Sequence, residues 1–360
     1  MRISVFAASL ALPVQLLAQR TTVTVAGQQL EVPHGFTVES WVDSLPGARF
    51  MAQGPDGAVY VSQPRAGRVV KVTAANAIEV VASGLSRPHG LAFRGDTLYV
   101  AETNRVVRFP PGASEPQVVV PEIPSGQGHW TRTVVFGPDG KMYVAIGSSC
   151  NICDQTDPRR AAVVRYNPDG SGEEIFARGL RNSVGLAFHP TTRELWATNN
   201  DREMLGDDVP PERINILREG RFYGWPQCNL PGTRNPEYPT ADCSAVEAPA
   251  LTFQAHSAPL GIAFYTGSQF PRDWQGDAIM AQHGSWNRSV RVGYQVMRVR
   301  VQNGRPTALE PFITGFLPPD APSAQRPWER PVGVLVLRDG SVLISSDNPG
   351  RILRVAYTGR

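Results

Sequence analysis

One pattern recurs six times along the 360 residues: a lead-in that often carries arginine, a small residue, an apolar strand, a tight turn and a second apolar strand. The copies span residues 48–63, 87–103, 131–148, 181–200, 258–285 and 330–348. The turns read "GPDG" or "DG" between apolar runs, which is a strong hairpin signal. In most copies a further strand follows ("GRVVKV", "NRVVRF", "AAVVRY", "GRILRV") in which charged and apolar residues alternate, as a half-exposed strand requires. Each unit is therefore a small antiparallel sheet that cannot bury both faces alone. Packing six of them radially solves the problem and predicts an all-β chain folded as a six-bladed β-propeller. The composition agrees, with 34 Gly and 32 Pro set against only 19% charged residues.

The repeats leave two long gaps. Residues 200–257 and 286–329 read as loops inserted into one propeller domain that runs from 19 to 360, and long ordered loops are disproportionately functional. The first 18 residues, "MRISVFAASLALPVQLLA", carry one basic residue, a short apolar run and a small-residue exit. They read as a signal peptide for export, to the periplasm or outside the cell. No stretch reaches the roughly 20 apolar residues of a stable membrane span. A formal charge of +3 without a basic run argues against nucleic acid as a partner. The four cysteines fit an oxidising compartment, and pairing neighbours joins Cys150 to Cys153 and Cys228 to Cys243. In "CNICD" Asp154 stands where haem attachment needs histidine, and no helical period follows for a thioredoxin-like pair. A structural disulfide is the reading there, with zinc and redox chemistry as alternatives.

Equivalent positions of all blades converge on one end of a propeller channel. The residues just before each inner strand then meet: Arg49, Arg87 with His89, His129 with Arg132, Arg181 with Asn182, His256 and Arg330. Converging guanidiniums repel and lose hydration unless an anion neutralises them, and they pair bidentately with carboxylates or phosphates. The alternative is that individual arginines pair with acids of neighbouring blades. In "NNDREMLGDDVPPERIN", Asp207 and Asp208 are oxygen donors suited to a hard cation, or else form a solvated acidic turn. His129 is a rim histidine or a general base whose neutral imidazole takes a hydroxyl proton. His283, followed by Trp286, Asn287 and Arg288, is placed to line the same mouth.

Taken in order, "GHWTRTVVFGPDGKMYVAIGSSCN", "RGLRNSVGLAFHP", "LGDDVPPERIN", "FYGWP", "HSAPLGIAFYTG", "AQHGSWNR" and "RPVGV" resemble the soluble quinoprotein glucose/sorbosone dehydrogenases, in particular their sorbosone-dehydrogenase-like branch. The resemblance implies six blades, pyrroloquinoline quinone (PQQ) and calcium as cofactors, and oxidation of a sugar or related alcohol. It implies His129 as the catalytic base; Arg181, Asn182 and Arg330, with His283 and Arg288, as quinone contacts; and Gly206, Asp207 and Asp208 as the calcium loop. Electrons would leave to a separate acceptor, because the chain has no haem-attachment motif. The glucose-oxidising members carry a lysine near "HGSWNR" and an arginine where Val332 stands, so glucose itself does not follow. A calcium-dependent lactonase and a non-catalytic propeller that binds carbohydrate or a partner are the alternatives.

Overall fold

The computed structural model describes residues 19–318, 321–322 and 324–359, so the expected signal peptide lies outside the described residues. Six sheets form the blades of a propeller, antiparallel except where Arg221–Phe222 adds a short parallel strand to the edge of the third. The first runs from its inner to its outer strand through Met51–Gln53, Val59–Gln63, Arg68–Ala74 and Ala77–Ala82. The next three begin at Gly90–Arg94, Arg132–Phe136 and Leu186–Phe188, and the fifth at Pro259–Phe264. The sixth pairs Pro331–Val336, Val342–Ser346 and Ile352–Tyr357 with Phe36–Val42, a strand from the other end of the chain. That strand closes the ring, and each inner strand touches the inner strand of the next blade.

The small residue of each repeat has a physical reason. A Cβ on Gly90, Gly261 or Gly333 would lie 2.6 Å from backbone of the neighbouring inner strand, closer than real Cβ atoms approach anything. At these positions the inner strands can crowd around the axis only because that atom is missing. Hydroxyls complete the contact from the second strands: Ser62 donates to His89 O at 2.7 Å and Thr198 to Leu260 O at 2.8 Å, and Ser345 donates to Arg49 O. The core is spread between blades, with one apolar cluster per interface built from both partners, such as Tyr99, Val106, Val134 and Val144.

The two gaps are not loop throughout. The first holds Glu212–Leu217 and Leu251–Phe253, the outer strands of the fourth blade, and the second holds Gln295–Gln302 and Arg305–Ile313 of the fifth. The fourth blade's outer strands are separated by a long connection, so no short turn marked them, whereas the fifth blade's pair is a hairpin closed by Asn303-Gly304, and its "YQVMRVRV" strand is legible in the alternation of charged and apolar residues. Both disulfides form as paired in the sequence, Cys150 with Cys153 and Cys228 with Cys243. No helix among the described residues is long and apolar enough to cross a membrane.

Candidate active site

His129 precedes the inner strand of the third blade, and its backbone N–H donates to Ser148 O at 2.9 Å. Its Nδ1 lies 3.1 Å from Ser148 O and 3.0 Å from Ser148 Oγ, while Ser148 Oγ donates its own proton to Cys150 O at 2.6 Å. Both neighbours of Nδ1 are thus acceptors. The hydrogen must sit on Nδ1, and Nε2 keeps the lone pair. Burial first, then the charge of Arg181, pushes the His129 pKa down to about 3.

Gly147 sets the distance between His129 and Asn182. A Cβ there would lie 2.5 Å from His129 Cβ and 2.6 Å from Asn182 Oδ1, so only glycine lets these side chains close over the strand end. Asn182 is buried, and its Oδ1 has no hydrogen-bond partner. Such an atom costs about 1–3 kcal/mol unless a ligand or water satisfies it. Arg181 beside it donates to Asn151 O (3.1 Å), Asn151 Oδ1 (3.0 Å), Asn200 O (3.2 Å) and Asp201 O (2.7 Å). It builds the wall, joining the Cys150–Cys153 loop to the fourth blade, and its buried charge stays directed at His129.

Other members of the expected ring are consumed structurally. Arg132 donates to His129 O at 3.0 Å, Thr131 O at 2.7 Å and Pro124 O at 2.5 Å. His89 is buried against Phe50, with ring centroids 4.3 Å apart. His256 is held between Glu203 Oε2 and Gly206 O, both at 2.9 Å.

At the mouth, a pocket of about 200 Å³ is lined by Arg49, Arg65, Arg87, Trp130, Arg330 and Asp347, with His283 beside them. His283 Nε2 is 2.9 Å from Asp347 Oδ1, whose other oxygen accepts from Arg49 at 2.6 Å. Burial lowers the His283 pKa to about 4 despite the carboxylate, whereas the His283 and Arg49 contacts outweigh burial and hold Asp347 well below the ordinary carboxylate range. His283 is therefore a neutral donor to an anionic Asp347. Sequence reading missed Trp130, Arg65 and Asp347. Asp347 ends the second strand of its repeat in "SSDN", where the other repeats carry "AET" or "TNN", and that shared position was the available signal.

Arg288 does not line this pocket. It reaches the 206–208 loop instead, donating to Asp207 O and, at 3.2 Å, to Asp208 Oδ1, while Ser289 N donates to Asp207 Oδ1 at 3.1 Å. Gly206 O is taken by His256 and Asp207 by Arg288 and Ser289, while Asp208, mostly exposed, has one carboxylate oxygen without a partner among the described residues. Among the described residues no cluster of three or more His, Cys, Asp or Glu side chains is arranged for a metal.

A six-bladed propeller whose mouth combines a neutral histidine with a cationic, aromatic-walled pocket defines a class, and the comparisons agree with it. Residues 101–304 match the family model described as Glucose / Sorbosone dehydrogenase. An uncharacterized protein of Borreliella burgdorferi is 30% identical over 94% of both chains. The pyrroloquinoline quinone-dependent sugar dehydrogenase of Hypocrea jecorina is 25% identical over 86% of this chain and 83% of its own. The fold is that of the Trichoderma reesei Carbohydrate-Active Enzymes Family AA12 structure, with a TM-score of 0.80 and 22% identity over 94% of this chain and all of that one. The chain belongs to the glucose/sorbosone dehydrogenase family.

Proposed function

We propose that this protein is a PQQ-dependent sugar dehydrogenase in which His129 Nε2 removes the proton of the substrate hydroxyl. The observation that carries the reading is the proton arrangement at Ser148, which fixes Nδ1–H and leaves Nε2 as an unprotonated base beside an unsatisfied amide oxygen. The donor set suits the quinone: an anionic cofactor matches the guanidiniums of Arg181 and Arg330 and a buried Asn182 that still lacks a partner. Bound PQQ supplies the electron acceptor for the hydride that leaves the substrate carbon. Asn182, Arg330 and the charge of Arg181 hold and orient it. Ser148 holds the imidazole in one tautomer. Burial first and then the charge of Arg181 keep the imidazole neutral, so its lone pair is free to take a proton.

Calcium is left out of the reading, because Gly206 O and the Asp207 oxygens already accept from His256, Arg288 and Ser289 and a guanidinium lies against the loop. The two disulfides fit an exported protein, and the reduced site must pass its electrons to a separate carrier. Purified protein mixed with PQQ and a panel of aldoses, carboxylated sugars and polyols should reduce an artificial dye. Absence of both a PQQ binding isotherm and dye reduction would sink the reading.

A further inference from the structure

The charges of the mouth pocket divide into two groups. Asp347 is the only carboxylate among the lining residues, and Arg49 and His283 occupy its two oxygens. Arg330 is spent on the carbonyls of His283 at 3.0 Å and Gly284 at 2.9 Å, and its guanidinium lies 5.5 Å from the centre of the Tyr294 ring. Arg65 and Arg87 line the same cavity, yet among the described residues neither makes an ion pair or a side-chain hydrogen bond.

Both are held in place by backbone. Arg65 sits in the short turn Pro64–Ala66, closed by Gly67 with φ of 60°. Arg87 is a non-glycine residue with φ of 51°, and its loop is pinned where Ser86 N donates to the buried Glu102 at 2.6 Å. Left-handed backbone at a branched-off side chain persists only where its surroundings impose it, and such positions cluster at ligand sites. The Arg87 guanidinium lies 4.2 Å from the centre of the Trp130 ring, and Arg49 reaches the same ring at 5.3 Å. Burial and then the charges of Arg65 and Arg49 lower the Arg87 pKa, a sign that like charges meet here without a counter-ion. A volume of about 200 Å³ admits roughly a dozen water-sized groups, the scale of a monosaccharide.

We propose that Arg65 and Arg87 bind the carboxylate of the substrate, so that the sugar oxidised is an acidic one, a uronate or another carboxylated monosaccharide. The assignment rests on the dehydrogenase reading. It puts the anionic end of the sugar against Trp130, which follows His129 in the chain.

The test begins with the full chain free of PQQ. Isothermal titration and tryptophan fluorescence are recorded with galacturonate, galactose, galactose 6-phosphate and PQQ. Galacturonate should bind and galactose should not, and Arg65→Gln and Arg87→Gln should each weaken galacturonate by about tenfold or more, the usual loss for a hydrogen bond to a charged group. Arg94→Gln, an arginine packed over Phe136 away from this pocket, should leave binding as it was. In the PQQ-loaded protein the preference for galacturonate over galactose in kcat/KM should fall about tenfold in each pocket variant. Tighter binding of galactose 6-phosphate than of galacturonate would overturn the carboxylate assignment. So would loss of PQQ affinity as large as the loss of galacturonate affinity in the same variants, since the arginines would then belong to the cofactor. Galacturonate binding without any PQQ-dependent dye reduction would count against the dehydrogenase reading alone.

Discussion

Because Ser148 spends its hydroxyl proton on Cys150 O, the Nδ1 of His129 meets two lone pairs and must carry the hydrogen, which leaves Nε2 with the lone pair the proposed base requires. His129→Gln can keep the Ser148 contact but has no basic nitrogen. It should bind PQQ within a few-fold of wild type and lose about 10²–10⁴ in kcat, measured by single-turnover dye reduction. Unchanged kcat would remove His129 from the chemistry. The same residue has a stability signature. Its pKa is depressed from the ordinary 6.5 to about 3, so between these values the unfolded chain binds the proton that the folded one refuses. Stability is then lost as pH falls through that window and is fully present above it. Between about pH 7 and about pH 4, wild type should lose about 3 kcal/mol more unfolding free energy than His129→Gln, read from denaturant curves at both values.

At the scale of the element, the inner strands are bound to one another by an absent atom and a recurring hydroxyl. Gly261→Ala places a Cβ 2.6 Å from Val332 O and 3.0 Å from Val334 N, both of them backbone that cannot rotate away. The fifth and sixth blades must then separate, which should cost about 2–4 kcal/mol by denaturant titration. Thr198→Val keeps its volume but loses two hydrogen bonds, the one donated to Leu260 O and the one accepted from Gly185 N, and about 2–3 kcal/mol is expected. This layer shows what the sequence could reveal. The blades were legible because D-G turns and alternation are local signals, and Gly147, Gly261 and Gly333 already stood in the repeat. Arg288 was not legible in the same way: its partners Asp207 and Asp208 lie some 80 residues earlier, so only the assembled ring shows a guanidinium filling the loop expected to hold calcium. The strand Phe36–Val42 was missed because it has no hairpin partner nearby and pairs with Ile352–Tyr357 at the opposite end of the chain.

On the scale of the whole molecule, that pairing decides whether a site exists. The mouth pocket takes Arg49 and Arg65 from the first blade, Arg87 and Trp130 from the lead-ins of the second and third, His283 from the fifth, and Arg330 and Asp347 from the sixth. No two adjacent blades contain it. Arg49 also pairs with Asp347 across the seam between first and sixth blades, so the site itself spans the closure. Val38 sits in the closing strand opposite Val355 and is buried among Phe36, Phe312 and Leu353. Val38→Asp buries a carboxyl there without a partner, which should cost about 3 kcal/mol or more and lower the melting temperature by roughly 6–12 °C. If the ring closes as one cooperative unit, PQQ affinity and melting should fail together, because opening the seam pulls Arg49 away from Asp347 within the pocket itself. A variant that melts early yet keeps wild-type PQQ affinity up to its own transition would confine the strand to stability. One that loses affinity below the transition would show that the seam opens first.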